Sequence, residues 1–161
     1  MVFLTITSNI NRKSLIINIA IPLAVGGISA LITNDAFKDY ENVIKPPLSP
    51  PSWLFPIIWT ILYILMGIST YLIYEKDKTL NKTSLIIYSI QLSLNFIWPI
   101  FFFGFRSYLF SFILLSAIIV LVSGMIVLFY KENKIAALIQ LPYLVWLLFA
   151  GYLNLSVYLL N

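Results

Sequence analysis

The chain has 161 residues, 61% hydrophobic and only 10% charged, with a net charge of +4 and neither cysteine nor histidine. Soluble domains run at about 45–50% apolar and about 25% charged residues, so a soluble fold of this length could not cover its apolar surface, and disorder is excluded by the same numbers. The missing cysteines and histidines exclude disulfides, thiolate or imidazole metal sites and His-ligated haem, and the ten dispersed Lys and Arg form no stripe for a nucleic acid.

An all-α integral membrane protein remains. Residues 14–34, 46–74, 83–105, 107–130 and 135–161 carry no charge, and each run is long enough to cross a bilayer core, which takes about 20 apolar residues. The runs are continuous rather than alternating, which argues against barrel strands. Five transmembrane helices are predicted at 14–33, 53–74, 84–103, 108–130 and 135–158, forming one bundle over residues 1–161 in the lipid bilayer.

The first span follows Arg12 and Lys13, as a signal peptide would. Its length, and the lack of a small-residue cleavage site leading into a soluble segment, favour a retained helix. The 35–52 loop holds Tyr40 and the run Lys45-Pro46-Pro47-Leu48-Ser49-Pro50-Pro51. Four prolines in six residues hold a chain extended, either as a stiff spacer or as a fixed flap over the helix ends. The second span carries Trp53, which suits the membrane interface, then Trp59 and Tyr63 one turn apart.

On the third span Gln91, Asn95, Trp98 and Phe102 recur at steps of four, three and four. They share one face, and amides in hydrocarbon must be hydrogen-bonded, so this face is expected to look inward. Asn95 reads either as an interhelical hydrogen bond or as a ligand contact. Ser89 and Ser93 lie on the opposite face, where small residues four apart either permit close approach of a second subunit or bond within the helix. The fifth span brings Pro142-Tyr143, then Trp146, Ala150 and Asn154 at steps of four. Prolines 22, 56, 99 and 142 fall within four of the five spans and suggest bent walls around an interior. Large aromatics beside one amide suit a flat, mostly apolar ligand; ordinary aromatic core packing is the competing account.

Lys and Arg number seven on one side (Arg12, Lys13, Lys76, Lys78, Lys82, Lys131, Lys134) and three on the other (Lys38, Lys45, Arg106). That bias predicts the N-terminus inside and the C-terminus outside. The six acidic residues are expected in the loops, so no proton relay or ion coupling is foreseen, and no conventional acid–base pair.

Three motifs resemble a known family. They are Tyr40-x-x-x-x-Lys45-Pro46-x-x-x-Pro50-Pro51-x-Trp53-x-Phe55 continuing to Trp59-Thr60-x-Leu62-Tyr63 and Met66-Gly67; Gln91-Leu92-x-Leu94-Asn95-x-x-Trp98-Pro99-x-Phe101-Phe102; and Leu141-Pro142-Tyr143-x-x-Trp146-x-x-Phe149-Ala150-x-x-Leu153-Asn154. In this order on helices 2, 3 and 5, they resemble the translocator proteins, also called tryptophan-rich sensory proteins or peripheral-type benzodiazepine receptors. The resemblance implies a five-helix bundle, a homodimer, and a first loop that covers a pocket. It implies a receptor or carrier binding tetrapyrroles (protoporphyrin IX, haem) and benzodiazepine- or isoquinoline-type molecules as ligands, with no cofactor required. The matching pocket positions are Tyr40, Pro50, Trp59, Asn95, Trp146 and Ala150. Trp59 and Asn95 would offer N–H donors, Trp146 and Tyr40 flat surface, and Pro50 with Pro51 a fixed flap. Some bacterial relatives look able to degrade porphyrin in light and oxygen, which would make Trp59 and Trp146 the reacting side chains. A structural membrane protein without a ligand is the third reading.

The chain departs from the family pattern at Asp39 and Leu48, where aromatics are common. The end of helix 5 lacks the terminal Lys or Arg of a cholesterol motif. Val127-x-x-Tyr130-x-x-x-Lys134 fits that pattern formally on helix 4, but cholesterol binding is not expected. The Lys/Ile/Asn-rich, cysteine-free composition points to a bacterial cell membrane.

Overall fold

The computed structural model describes residues 11–77 and 82–161. Lys78, counted among the inner charges, lies outside the described residues, as do the side chains of Lys76 and Asp39. The helices are α1 (Arg12–Asp39), α2 (Leu54–Asp77), α3 (Lys82–Pro99), α4 (Tyr108–Glu132), α5 (Lys134–Ile139) and α6 (Leu141–Leu160). Helix α3 continues into a wide π turn, Ile100–Gly104, and α5 and α6 together make the fifth span. Five membrane-length spans result, as the charge spacing predicts.

The spans close into a ring: α1 packs on α2, α2 on α5, the fifth span on α4, α4 on α3, and α3 back on α1. Helix α4 supplies the spine. Ser111, Leu115, Ile118, Val122, Met125 and Phe129 follow one another at steps of four and three, and all are fully buried. That spacing is the seam that lets side chains interdigitate with neighbouring helices. Lipid tails are as apolar as leucine, so this fit, rather than escape from water, holds the helices together.

Two expectations need correction. First, α1 does not stop at residue 33 but runs through 39, so the first loop is shorter than 35–52. Charge marks where a helix leaves the hydrocarbon, not where it ends; Asp35 and Lys38 pair at 3.0 Å within the emerging turn. For the same reason five of the six acidic residues sit at helix ends and only Glu41 in a turn between them. Second, the four prolines do not all interrupt helices. Pro56 occupies the first turn of α2 and Pro142 the first turn of α6, where no helical donor is lost. Pro99 stands inside the third span, at the change from α to π winding, and Pro22 stands within α1.

Pro22 has a partner on α2. It cannot donate to the carbonyl of Asn18, and there Gly67 lies against the Asn18–Ile19 backbone; a Cβ on Gly67 would stand 2.7 Å from that carbonyl oxygen and 2.5 Å from the Ile19 Cα. About two turns farther on, α1 returns the arrangement: Gly26 receives the Tyr63 ring, 2.0 Å from where a Cβ would be. The two glycines set the distance between α1 and α2. Gly67→Ala should therefore destabilise the bundle by about 1–3 kcal/mol, the usual cost of overpacking. Gly27→Ala, a position with open space around it, should be neutral or slightly stabilising. Thermal unfolding of both variants in detergent checks this.

Candidate functional site

A cavity of about 280 Å³ opens among α1, α2 and α3, at the end of the bundle nearer the first loop. Helix α1 contributes Gly26, Ser29, Ala30, Thr33, Asn34 and Phe37. Helix α2 contributes Phe55, Pro56, Trp59 and Tyr63. The end of α3 and its π turn contribute Asn95, Trp98, Pro99 and Phe103. The walls are mostly apolar and carry six aromatic rings, and the hydroxyls of Ser29 and Thr33 are occupied with the carbonyls of Phe96 and Ser29, both at 2.9 Å.

The inward face read on helix 3 is present: Gln91, Asn95, Trp98 and Phe102 are all buried. The π turn adds Phe103, which an α-helix would have turned away. The wider winding lets two consecutive residues face inward, with ring centroids 4.9 Å apart and planes at 89°. Phe103 in turn meets Phe37 at 5.1 Å and Tyr40 at 5.3 Å.

Beneath the cavity Asn95 Nδ2 donates to the Tyr143 hydroxyl and to Gln91 Oε1 at 3.3 Å, while the Tyr143 hydroxyl donates to the same Oε1 at 2.9 Å. Asn95 thus joins helices as well as lining the cavity. Both N–H bonds of its amide are committed, so the end it can offer a ligand is the carbonyl oxygen, not the donor expected. Trp59 differs: its indole N–H has no partner among the described residues. Trp98, by contrast, donates to Asn154 Oδ1 at 3.1 Å, and Asn154 Nδ2 donates to the Tyr108 carbonyl at 2.8 Å.

The remaining expected residues stand apart from the cavity wall. Trp146 and Ala150 of α6 do not line it. Trp146 packs on the edge of Phe55 at 5.9 Å and faces a separate apolar groove between α2 and α6, bounded by Ile58, Leu62, Pro142 and Phe149 among others. The physical reason is the neighbour pattern: α2 meets the fifth span along α5 and parts from α6 beyond it. Ala150 is buried in the core. Tyr40 sits behind Phe37 and Phe103, under the ammonium of Lys45 at 4.8 Å. Pro50 is half-buried in the loop. Ser89 and Ser93 face outward, and the Ser93 hydroxyl bonds the Ser89 carbonyl at 2.8 Å, so the within-helix reading holds for that bond.

Two groups of residues were given no role in the sequence. One is Tyr143, noted only as part of a motif and wholly buried at the centre of the polar network. The other is the α1 face, whose Gly26, Ser29, Ala30, Thr33 and Phe37 fall on one side of a helix; that spacing of small and hydroxyl residues was legible. The loop is tied down as well. Asn161 Oδ1 accepts from the Ile44 N–H at 3.2 Å and its Nδ2 donates to the Ile44 carbonyl at 3.1 Å.

Burial, and then the neighbouring Tyr108, push the Tyr40 phenol up from its ordinary 10.0 to about 12. The folded protein keeps this proton where an unfolded chain has lost it, so the contribution to stability is present below pH 10 and disappears as pH rises towards about 12. Stability, followed by unfolding across that window, should fall less steeply with pH in Tyr40→Phe.

The sequence matches the TspO/MBR family over residues 18–160. It is 38% identical to the tryptophan-rich protein TspO of Archaeoglobus fulgidus over 94% of this chain and 99% of that one. It is 34% identical to the protein of the same name from Chlorobaculum tepidum, over 89% and 92% of the two chains. It is 33% identical to the translocator protein of Bos taurus, over 83% and 82%.

Proposed function

The chain belongs to the TspO/MBR family, and on that premise we propose that it is a membrane receptor or carrier for flat, largely apolar molecules, tetrapyrroles such as protoporphyrin IX and haem first, with benzodiazepine- and isoquinoline-type compounds as smaller occupants. The observation that carries this reading is the aromatic slot: Phe37, Phe55, Trp59, Trp98 and Phe103 surround a space with one uncommitted indole donor. Flat rings gain contact area against such walls. A carboxylate or carbonyl on the ligand is an acceptor and would take the Trp59 N–H; a ligand donor would take the Asn95 carbonyl. The cavity, about 280 Å³, falls just below the usual range of ligand pockets, about 300–1,000 Å³. A porphyrin would therefore place only part of its macrocycle there.

In the same reading the N-terminus is cytoplasmic in a prokaryotic cell membrane. A homodimer partner would pack on the outer face of α3, where Ser89 and Ser93 lie beside the exposed Ile86 and Ile90.

Titration of the purified protein with protoporphyrin IX should quench tryptophan fluorescence saturably. Trp59→Phe keeps an aromatic ring, though a smaller one, and removes the donor, so affinity should fall at least about tenfold, the value of a hydrogen bond to a charged partner. Unaltered affinity in Trp59→Phe and in an Asn95→Leu/Trp146→Ala double variant would remove the site.

Light-dependent breakdown of bound porphyrin is favoured by a second observation. Trp59 lies 5.6 Å from the Tyr63 ring and 6.3 Å from the Tyr143 ring, a run of oxidisable side chains leading from the cavity. Dioxygen sensitised by the porphyrin would be the oxidant. Under illumination, wild type should give a product distinct from free-porphyrin bleaching, and a Trp59→Phe/Trp146→Phe variant should not; equal decay in both ends this reading.

A further inference from the structure

Polar side chains continue into the bundle beyond the cavity. Gln140, at the break between α5 and α6, is wholly buried, and neither its Oε1 nor its Nε2 has a hydrogen-bond partner among the described residues. Gln91 is as deeply buried. Its Oε1 accepts from Tyr143 and Asn95, but its Nε2 is left without a partner.

Turning the Gln91 amide over does not mend its share of this. A reversed Gln91 would set a donor against the Asn95 amide. The two residues are linked through Tyr143, which bonds Gln91 and stands three residues after Gln140 on the same inward face. Tyr63 and Tyr88 are buried as well and add hydroxyls to the interior on α2 and α3.

Two carboxamides with three unmet bonding atoms, sealed inside a membrane bundle, are strongly disfavoured unless something small and polar meets them. Buried polar groups in this position are typically bridged by water, which both donates and accepts. We propose that the bundle carries a buried hydration site at the α5–α6 break, held by the carboxamide of Gln140 and the Gln91 N–H, one layer beneath the cavity. Asn95 is the junction between the two. It lines the cavity above and donates to Tyr143 and Gln91 below, so the cavity floor belongs to a hydrogen-bond network that ends in water. Gln140 itself does not line the cavity, and the site needs no occupant there.

Hydroxyl-radical footprinting of the ligand-free protein in lipid nanodiscs, in ¹⁸O-labelled water, tests the proposal. Radicals generated at a bound water label the adjacent side chain even where bulk solvent is excluded. Tyr143 should be labelled well above Phe129, a core residue buried to the same degree, and Gln140→Leu should lose most of that label. The thermal midpoint of Gln140→Leu should also fall, because the variant forfeits the bridging bonds. Tyr143 as silent as Phe129 in wild type, or a midpoint that rises on replacing Gln140 by leucine, overturns the proposal. If Gln140→Leu does not fold, the wild-type comparison of Tyr143 with Phe129 decides alone. Since no cavity ligand is present, failure here leaves the binding reading untouched, and failure of binding leaves the hydration site untouched.

Discussion

Hydrocarbon offers no hydrogen bonds, and that constraint orients the bundle. Gln91, Asn95 and Trp98 on α3 have groups that lipid cannot satisfy, and Tyr143 and Asn154 on α6 meet them. Once these pairs form, α3 and α6 can each present only one face to the interior. The apolar seam of α4 packs behind them, and Trp98 with the π turn is directed towards α1 and α2. Such bonds contribute modestly to helix association in membranes. Their greater effect is negative: any rotation that exposes an amide to acyl chains is costly, so a single orientation survives.

The cavity depends on the helix that is least buried. Only 11% of the most apolar stretch of α1 is buried inside the bundle, and its hold on α2 comes from the close approaches at Gly67 and Gly26. Towards the first loop, Phe55 and Trp59 on α2 and Phe37 on α1 replace those glycines, and bulky rings hold the helices apart. The slot is thus a consequence of side-chain size changing along one helix pair. Trp146 lies across Phe55 from it, in a groove open on another side of α2. The aromatic residues of the three motifs therefore serve two hollows and the core between them.

Much of this was readable in advance, for identifiable reasons. Membrane spans are visible because one charge in hydrocarbon costs more than any local preference can offset, so charge-free runs predict them directly. The inward face of α3 was readable because amides at helical spacing admit one interpretation. The motif order identified the family.

Composition and spacing by themselves therefore determine five spans, the polar face of α3 and the aromatic character of the interior. Tertiary structure alone decides that α1 walls the cavity, that Trp146 turns to a different hollow, and that Asn95 uses its N–H bonds on its neighbours. It also decides that α1 extends past its charges and that a π turn brings Phe103 inward. The physical reason is common to all of these. A sequence states which groups need burial or a partner, but which partner each one receives depends on the distances between helices, and those distances are set by glycines and rings that meet only after the chain has folded.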